Sequence, residues 1–395
     1  MDENEKFIYQ LTRKLLWKYH HDMDSVLAQV KLENSMQKHP LNENQLRYVI
    51  TRALDDGAQA PPIVCNSVKD IDLEDVNEPF FFIPQILSNG HYMLNSPPKE
   101  GKSRLLMQMA LALCKGGLFM GKRCVKTSVL YLALEDERLD FESRLKLFLN
   151  YDEPPENLYF ATLEDFDYSP PTLEGGELTE LIEENLSKHP DIQIILIDVF
   201  GVIRSKRRKG EDFTDTERRD VLTLNRLAAQ YKIALVVAHH VSHTKRKGTI
   251  ETIGSGAGSY VISATVHGEM LLYKNQETGA HTFSVQGRRL ALQKFAIEDD
   301  FPRWRYCGTN DEYEAANNPL VITVKHLIDN AEGGKWSGTG KELLDYNTSN
   351  KLPQIIGKIN RNTFSVSIIR LLSISGIRYK QIKNGNGTIH KFEKL

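Results

Sequence analysis

The segment Ser96-Pro-Pro-Lys-Glu-Gly-Lys-Ser103 constrains the fold more than any other part of the sequence. It follows the short apolar run His91–Leu94 and precedes residues 104–113, whose apolar side chains recur at helical spacing. This strand–loop–helix context and the Gly-Lys-Ser triplet match the phosphate-binding pattern G-x-x-x-x-G-K-[ST], although Ser96 stands at the first glycine position. The segment therefore predicts an α/β protein with a mostly parallel sheet covered by helices.

A phosphate-binding loop of this kind has a defined chemistry. Backbone amides at the helix N-terminus hold phosphate oxygens, Lys102 neutralises the β- and γ-phosphates, and the Ser103 hydroxyl ligates Mg²⁺. ATP and Mg²⁺ are therefore the expected cofactors. The predicted nucleotide-binding residues are Ser96, Pro97, Pro98, Lys99, Glu100, Gly101, Lys102, Ser103 and Arg104.

Two further strands end in carboxylates. The apolar run Ile192–Asp198 has the Walker B pattern, which predicts that Asp198 holds Mg²⁺. The run Ser128–Leu134 leads into Glu135, our candidate for the base that orients the attacking water. Solvated carboxylates at strand ends are the plainer alternative for both residues.

Alternating strand and helix patterns organise the chain into four parts. Residues 1–57 form a helical domain, residues 58–79 an acidic linker with Pro61-Pro62, and residues 80–325 the ATPase domain. Further strands are expected at Ile233–Ala238 and in hairpins after Gly268. Residues 335–395 form a separate C-terminal domain.

The C-terminal domain is predicted to be a winged helix that binds DNA. Helices are expected after Thr339, near Leu352–Ile359 and over Ser365–Ser375, followed by a hairpin around Asn384-Gly-Asn-Gly387. Residues 351–395 contain nine Lys or Arg and one acidic residue. A basic packing domain without DNA affinity is the alternative. The candidate DNA contacts are Arg361, Arg370, Lys380 and Lys383.

Composition excludes several other classes. A hydrophobic content of 41% and a charged content of 26% are typical of a soluble globular protein. The four cysteines form no C-x-x-C pair, so neither a disulfide framework nor a zinc site is expected. The chain has no apolar run of membrane-spanning length and no signal peptide pattern. A cytoplasmic location without membrane contact is therefore expected.

Several motifs together resemble one known family. These are the lead-in Phe82-Ile-Pro-Gln-Ile-Leu, the Pro-Lys within the phosphate-binding loop, the strand end Leu-Ala-Leu-Glu-Asp136, the Walker B strand and Ala238-His-His240. Over residues 80–300 the chain resembles the hexameric replicative helicases of the RepA plasmid type, RecA-fold relatives of the DnaB helicases. The resemblance implies a RecA-like core, a ring-shaped homo-hexamer, ATP sites between subunits and DNA in a central channel.

The resemblance also implies roles for two residues. His240 corresponds to the sensor of the γ-phosphate, and Arg288 to the arginine finger that reaches the nucleotide of a neighbouring subunit. Arg289, next in sequence, is an alternative finger, and a surface arginine without a role is another. The residues His239, His240 and His243 alternatively suggest a metal cluster, although no carboxylate or cysteine nearby completes it.

Three positions depart from the family's pattern. Ser96 replaces a glycine, His267 stands where relatives usually carry an aspartate, and Gln286 replaces the lysine of some DnaB-type fingers. These departures leave the phosphate-binding lysine and both carboxylates in place. They bear on turnover rate and on coupling between subunits.

One basic segment follows the Walker B strand Ile192–Asp198, and a second follows the strand Ile233–Ala238 and His240. In RecA-type rings, loops at these positions face the channel, where cations neutralise DNA phosphates. Solvated charged loops are the alternative. The absence of aromatic residues favours contact with the backbone over base stacking. The segments contain Arg204, Lys206, Arg207, Arg208, Lys209, Lys245, Arg246 and Lys247.

The sequence thus predicts an ATP-dependent DNA helicase for replication of a phage, plasmid or mobile element. Expected partners are single-stranded and forked DNA, further copies of the chain, and a primase, initiator or single-strand-binding protein. One alternative is a recombination or repair ATPase of the RecA/RadA type. Another is a DNA-binding initiator or regulator that uses ATP only as an assembly switch.

Overall fold

The computed structural model describes most of the chain, in two units, Met1–Asn77 and Glu78–Leu395. The described residues are 1–19, 23–59, 67–68, 80–207, 212–241, 260–274, 279–360, 362–384 and 387–395. Most of the predicted linker therefore lies outside the described residues. The same holds for Arg208, Lys209, His243, Lys245, Arg246, Lys247 and Arg361.

The described residues of the first unit form three α-helices, α1 (Glu3–Lys18), α2 (Met23–Ser35) and α3 (Glu43–Asp55). Asp2 and Asn42 begin α1 and α3 with capping boxes, in which side chain and backbone satisfy each other's free donors. The helices enclose a small core of aliphatic side chains. Its buried members are Ile8, Leu15, Leu16, Val26, Val30, Leu41, Val49 and Ile50.

The second unit is built on a nine-stranded sheet in the order β13-β12-β11-β10-β3-β9-β8-β6-β7. Strands β10, β3, β9, β8, β6 and β7 are parallel, and β11, β12 and β13 extend the sheet in antiparallel fashion. The predicted, mostly parallel α/β core is therefore confirmed. The strands up to this point are β1 (Phe81–Ile83), β2 (Leu87–Ser88), β3 (Gly90–Ser96), β4 (Leu118–Phe119), β5 (Lys122–Arg123), β6 (Ser128–Ala133), β7 (Leu158–Thr162), β8 (Ile192–Asp198), β9 (Ala234–His240), β10 (Gly268–Lys274), β11 (His281–Gly287), β12 (Leu290–Asp300) and β13 (Arg303–Thr309).

Helices cover both faces of this sheet. One face packs with α4 and α5, and the other with α6, α7, α8 and α9. Strands β3 and β6 are buried along their whole length. For β6 this explains a nearly continuous apolar run, whereas β3 also buries the polar residues His91, Asn95 and Ser96. The helices are α4 (Lys102–Lys115), α5 (Arg138–Leu149), α6 (Glu177–Lys188), α7 (Phe200–Ile203), α8 (Phe213–Gln230) and α9 (Tyr260–Thr265).

The C-terminal region, residues 310–395, has its own apolar core and a three-stranded sheet in the order β14-β16-β15. Residue 325, the predicted end of the ATPase domain, lies inside α11, and buried Val321, Val324 and Leu327 of that helix belong to the C-terminal core. The elements are α10 (Asn310–Asn317), α11 (Pro319–Asn330), β14 (Lys335–Thr339), α12 (Gly340–Ser349), α13 (Val366–Ile374), β15 (Ile377–Asn384) and β16 (Gly387–Lys394).

One predicted helix of this region is wrong. Residues 352–359 are not helical. Gly357 has a φ of +91°, outside the range of a right-handed helix, and Pro353 disfavours a helical conformation at Leu352 before it. The described residues of the region still form three longer helices, because α11 precedes α12 and α13; α12 and α13 lie where helices were predicted, and α11 does not.

The described part of the chain contains no helix that is both long enough and apolar enough to span a membrane.

Candidate nucleotide-binding site

The phosphate-binding loop connects β3 to α4 at the edge where the parallel strands end. Ser96 is the last residue of β3 and is buried, with its hydroxyl donating to the Pro97 carbonyl (3.1 Å). The residues of this loop with positive φ are Lys99 (+65°) and Gly101 (+82°). Because Ser96 has no such φ, its backbone does not require the glycine of the general pattern.

Gly101 is required on two grounds. Its φ of +82° is unfavourable for other residues, and an added Cβ would lie 2.9 Å from both Arg104 and Trp304. The glycine thus lets the loop turn directly into the first residue of α4. Backbone amides at the start of this helix face the loop, which is the arrangement that binds phosphate.

Lys102 is buried within the loop, with 4% of its surface exposed. Its Nζ donates to the carbonyls of Ser96 (3.3 Å) and Pro97 (3.1 Å) and lies 2.9 Å from His240 Nδ1. Burial lowers the pKa of Lys102, while the nearby carboxylates Asp198 and Glu135 oppose that shift. Lys102 thus lies where its charge can stabilise negative charge bound at this site, beside two carboxylates of its own chain.

Ser103 and Asp198 form the oxygen pair predicted to hold Mg²⁺. Burial raises the pKa of Asp198, and a hydrogen bond from the Ser103 hydroxyl opposes the shift. Mg²⁺ is usually bound by one or two protein oxygens together with substrate phosphates. This pair fits that requirement. Among the described residues there is no group of three His, Cys, Asp or Glu side chains that would hold a metal by itself.

Tyr131 was not predicted from the sequence, yet it contacts both members of this pair. Its hydroxyl donates to Asp198 Oδ2 (3.3 Å) and lies 3.4 Å from the Ser103 carbonyl. Burial raises the pKa of Tyr131, so the hydroxyl keeps its proton and remains a donor. A tyrosine in the middle of a buried strand carries no signal in a sequence that would distinguish it from an ordinary core residue.

His240 links the lysine to the second acidic residue. It is the last residue of β9, and its ring places Nδ1 2.9 Å from Lys102 Nζ and Nε2 3.6 Å from Glu135 Oε2. The Glu135 side chain is 48% exposed and follows β6, as predicted. The structure thus brings Lys102, His240 and Glu135 into one chain of contacts.

The alternative of a histidine metal cluster gains no support. Successive residues of a strand face opposite sides, and the His239 ring packs edge-on against Phe200 on the side away from Lys102. Burial lowers the pKa of His239 to about 4. His243, the third member, lies outside the described residues.

A group of side chains from the antiparallel strands supports the loop from outside. Arg104 forms a two-point ion pair with Asp299 (2.7 and 2.9 Å) and stacks on the Trp304 ring, 4.8 Å from its centroid. Trp304 Nε1 lies 3.4 Å from the Gly101 carbonyl, and its backbone exchanges two hydrogen bonds with the Gln108 side chain. Arg104 was predicted to bind the nucleotide. In the structure it also pairs with Asp299 and packs on Trp304, so it supports the phosphate-binding loop. These pairs are separated by about 200 residues and were not evident from the sequence.

Arg288 lies at the opposite edge of the sheet. It follows β11, whose last residue Gly287 pairs with Gly268, and Gly268 pairs with Tyr92 near the start of β3. Tyr92 and Ser96 are four positions apart on β3, which is a distance of about 13 Å at 3.3 Å per residue. Arg288 is exposed, and its guanidinium donates to the Thr265 carbonyl (3.1 Å). It is thus remote from the phosphate-binding loop of its own chain.

The predicted DNA contacts are only partly described. Arg204 is paired with Glu217 (3.4 Å), and Lys206 and Arg207 are exposed. Arg370 of α13 forms an ion pair with Asp311 of α10. Lys380 and Lys383 of β15 are exposed. The remaining predicted contacts lie outside the described residues.

A buried polar network lies beside the loop. Asn95, just before Ser96, donates to Glu269 Oε1 (2.6 Å), and Ser263 of α9 donates to the same oxygen (2.9 Å). Burial raises the pKa of Glu269, while both hydrogen bonds oppose the shift. This network joins the strand that enters the phosphate-binding loop to the helix that follows the second basic segment.

Part of the chain is similar to known proteins. A family model described as an AAA domain, AAA_25, matches residues 82–246. Among solved structures, the chain is similar to the ATPase domain of G40P (TM-score 0.41, 11% identity, covering 55% of this chain and 85% of that one). It is also similar to the KaiC-like protein PH0186 from Pyrococcus horikoshii OT3 (TM-score 0.38, 12% identity, covering 55% and 89%). No curated protein matches the chain.

The matched model spans the phosphate-binding loop, Glu135, Asp198 and His240. The loop geometry, the Ser103–Asp198 oxygen pair and this match together identify a P-loop ATPase domain. Such a domain binds a nucleotide, typically with Mg²⁺.

Proposed function

We propose that this protein is an ATP-dependent DNA helicase that works as a ring-shaped homo-hexamer in the replication of a phage, plasmid or mobile element. The observation that carries the proposal is the position of His240, which contacts Lys102 and Glu135 and ends the strand that leads into the basic segment 245–247. One residue thus joins the nucleotide chemistry to a candidate DNA contact. The motif resemblance to RepA-type helicases supports the same function.

The chain's own residues suit hydrolysis of ATP. Lys102 and the amides at the start of α4 bind and orient the phosphates. Ser103 and Asp198 would hold Mg²⁺, which would neutralise charge on the phosphates when bound. Glu135 accepts a proton from the attacking water or orients it, and His240 holds that carboxylate 3.6 Å from its ring.

The position of Arg288 supports an assembly with shared sites. Because Arg288 lies at the edge of the sheet opposite its own phosphate-binding loop, the nucleotide it reaches belongs to another copy of the chain. There the guanidinium stabilises negative charge that develops on the phosphates. Arg289, also exposed in the same turn, is the alternative donor. In this proposal each ATP site is complete only between two subunits.

A surface for the nucleotide base lies beside the loop. Phe301 is 69% exposed in the turn between β12 and β13, and the Arg104 guanidinium lies 5.5 Å from the centre of its ring. An aromatic face and a planar cation offer stacking partners to a base. We assign this pair to binding of the base, while Lys102 binds the phosphates.

Two parts of the chain are assigned to DNA. Arg204, Lys206 and Arg207 follow β8 at the same edge as the phosphate-binding loop, and segment 245–247 follows β9. We propose that these residues contact single-stranded DNA in the ring. The C-terminal region, with α11, α12, α13 and the β15–β16 hairpin, is proposed to be a winged helix that contacts forked DNA.

Unwinding of a forked DNA duplex tests this function directly. We expect ATP-dependent strand separation by the parent chain and none by Lys102→Ala, because the variant lacks the phosphate-binding cation. An exposed lysine, Lys115→Ala, serves as the matched control and should unwind normally. Continuous filaments on DNA without unwinding would instead support a recombination ATPase. ATP binding followed by a single slow turnover would support an assembly switch.

A further inference from the structure

The three-stranded sheet of the C-terminal region presents one face to its core and the other to solvent. Buried or half-buried Ile377, Tyr379, His390 and Phe392 belong to the inner face and pack with Phe364. The residues between them therefore point outward. This outer sheet face consists of Lys335, Ser337, Thr339, Arg378, Lys380, Ile382, Ile389, Lys391 and Glu393.

The outer sheet face is basic and its cations are unevenly neutralised. Lys335 forms an ion pair with Glu393 (2.7 Å), and Arg378 stands opposite the same residue in the strand register. The hydrogen bond from Lys335 lowers the pKa of Glu393 below its usual range. The outer sheet face thus has four cations and one carboxylate, which gives it a local charge of about +3.

Two of these lysines stand directly opposite each other. Lys380 on β15 pairs in register with Lys391 on β16, and both are exposed. Like charges at opposed positions on adjacent strands destabilise a sheet, because their Cβ atoms lie only about 5 Å apart. A bound anion between them removes this repulsion. The pair therefore points to a partner that carries negative charge.

The helix that would be expected to read DNA is unsuited to that role. In helix-turn-helix domains a recognition helix enters the major groove with polar side chains. On α13 the exposed side chains include apolar Val366 (85%) and Ile369 (39%). Its one cation, Arg370, forms an ion pair with Asp311 of α10. Contact with DNA phosphates through α13 would have to break that pair.

The chemistry of the outer sheet face favours duplex DNA over a single strand. Proteins that bind single strands usually stack bases on aromatic side chains. Among the residues that the structure describes, the outer sheet face has no aromatic side chain, since Trp336, Tyr379 and Phe392 belong to the inner face. Its cations and the hydroxyl of Ser337 suit phosphate contacts instead.

We infer that the outer sheet face, and not α13, is the surface by which this protein binds the phosphate backbone of double-stranded DNA. This inference rests on the proposed DNA-binding role of the C-terminal region. Binding is accordingly independent of sequence and strongly dependent on salt.

The test compares the full-length parent with the double variant Lys380→Ala/Lys391→Ala. Fluorescence anisotropy measures the affinity for a labelled duplex and for a single strand of the same length, between about 50 and 200 mM salt. We expect the variant to bind the duplex about tenfold more weakly and the slope of log K against log salt to fall by about 2. Affinity for the single strand should change little.

The matched control is Lys351→Ala/Lys358→Ala, which removes two exposed lysines of the same region away from the sheet. It should retain the affinity and salt slope of the parent. Equal losses in both variants, an unchanged duplex affinity, or a loss confined to the single strand would each overturn the inference. ATP hydrolysis stimulated by single-stranded DNA, measured on the same samples, reports separately on the proposed motor.

Discussion

The central sheet has two polar edges that differ in chemistry. At the edge where the parallel strands end, Lys102, Glu135, Asp198 and His240 lie around one loop. At the edge where they begin, polar side chains are also buried, but His91 contacts the neutral amide of Asn225, and its Nε2 has no hydrogen-bond partner among the described residues. His91 is fully buried there, with Nδ1 3.0 Å from Asn225 Oδ1.

The difference lies in charge. At the first edge a lysine and two carboxylates converge beside the N-terminus of a helix, so that the site is prepared for a charged ligand and its metal. At the other edge burial lowers the pKa of His91 to about 3, so the ring is neutral at physiological pH. A buried polar residue therefore does not by itself indicate a functional site. Convergence of opposite charges beside a helix N-terminus is the stronger indication.

The largest effect expected from this contrast concerns Glu135. The variant Glu135→Gln keeps the size of the side chain but cannot accept a proton, so we expect kcat for ATP hydrolysis to fall about 10²- to 10⁴-fold. Nucleotide binding, measured by fluorescence titration, should change little, because Lys102 and the loop amides are intact. The control Glu137→Gln alters an exposed carboxylate two residues away. Equal turnover by both variants would remove Glu135 from the mechanism.

At the opposite edge, His91 predicts a dependence of stability on pH. In the unfolded chain histidine binds a proton below about pH 6.5, whereas folded His91 does so only near pH 3. The unfolded state therefore binds more protons as pH falls, and stability decreases. Between pH 7 and pH 5 the His91 contribution is a loss of about 2 kcal/mol, at 1.36 kcal/mol per pKa unit.

Urea unfolding at both pH values measures this effect. The variant His91→Gln keeps an amide that can pair with Asn225, and it should lose less stability between pH 7 and pH 5 than the parent. A control, His189→Gln, replaces a half-buried histidine that packs on Tyr159. If His91→Gln and the parent show the same pH dependence, then His91 is not held neutral and the contrast between the edges is weaker.

The sequence predicted the first edge better than the second. The phosphate-binding loop, Glu135 and Asp198 each lie at the carboxyl end of a parallel strand, and parallel strands bring these ends together whatever the helices between them. The residues that stabilise the site through packing and hydrogen bonds were not predictable in this way. Tyr131 and Trp304 act through contacts between distant parts of the chain, and the pairing of Arg104 with Asp299 spans 195 residues.

The C-terminal region shows a different limit. The helical spacing of residues 352–359 was real, but Gly357 and Pro353 impose backbone conformations that outweigh it. The hairpin β15–β16 was predicted correctly because strand alternation and an Asn/Gly turn are both local signals. Which of its lysines share a face with β14 depends on register between strands distant in sequence, which local patterns do not encode.

A variant of Tyr131, a buried residue that contacts Asp198, tests whether such contacts affect the nucleotide site as much as its charged groups do. The variant Tyr131→Phe removes the hydroxyl that donates to Asp198 Oδ2 at 3.3 Å, while the hydrogen bond from Ser103 to Asp198 remains. We expect about tenfold weaker apparent affinity for Mg²⁺ in ATP hydrolysis, the usual effect of losing a hydrogen bond to a metal ligand. Turnover at saturating Mg²⁺ should be close to that of the parent. Tyr159→Phe, on the neighbouring strand β7, is the control, and an equal Mg²⁺ dependence in all three proteins would argue against this role.

Glu269 connects the first edge to the rest of the sheet, and its variant has the smallest expected effect. Its carboxylate accepts hydrogen bonds from Asn95, next to the phosphate-binding loop, and from Ser263, in the helix that follows the second basic segment. A change in one of these elements therefore strains the other. In Glu269→Gln the amide retains the shape of the carboxylate but weakens both charge-assisted hydrogen bonds. We expect basal ATP hydrolysis to stay within about twofold and its stimulation by single-stranded DNA to fall about fivefold, equivalent to about 1 kcal/mol of coupling.

The comparison with Ser263→Ala decides whether the network itself transmits the effect. This variant removes one of the two donors and leaves Asn95 and the phosphate-binding loop intact, so it should lose part of the stimulation and none of the basal rate. Measurement of both rates over a range of DNA concentrations separates weaker coupling from weaker DNA binding, because only the former lowers the plateau. If the basal rate of Glu269→Gln fell while its stimulation by DNA did not change, Glu269 would stabilise the phosphate-binding loop without coupling it to DNA binding. His240 would then be the remaining connection between the nucleotide site and the candidate DNA contacts.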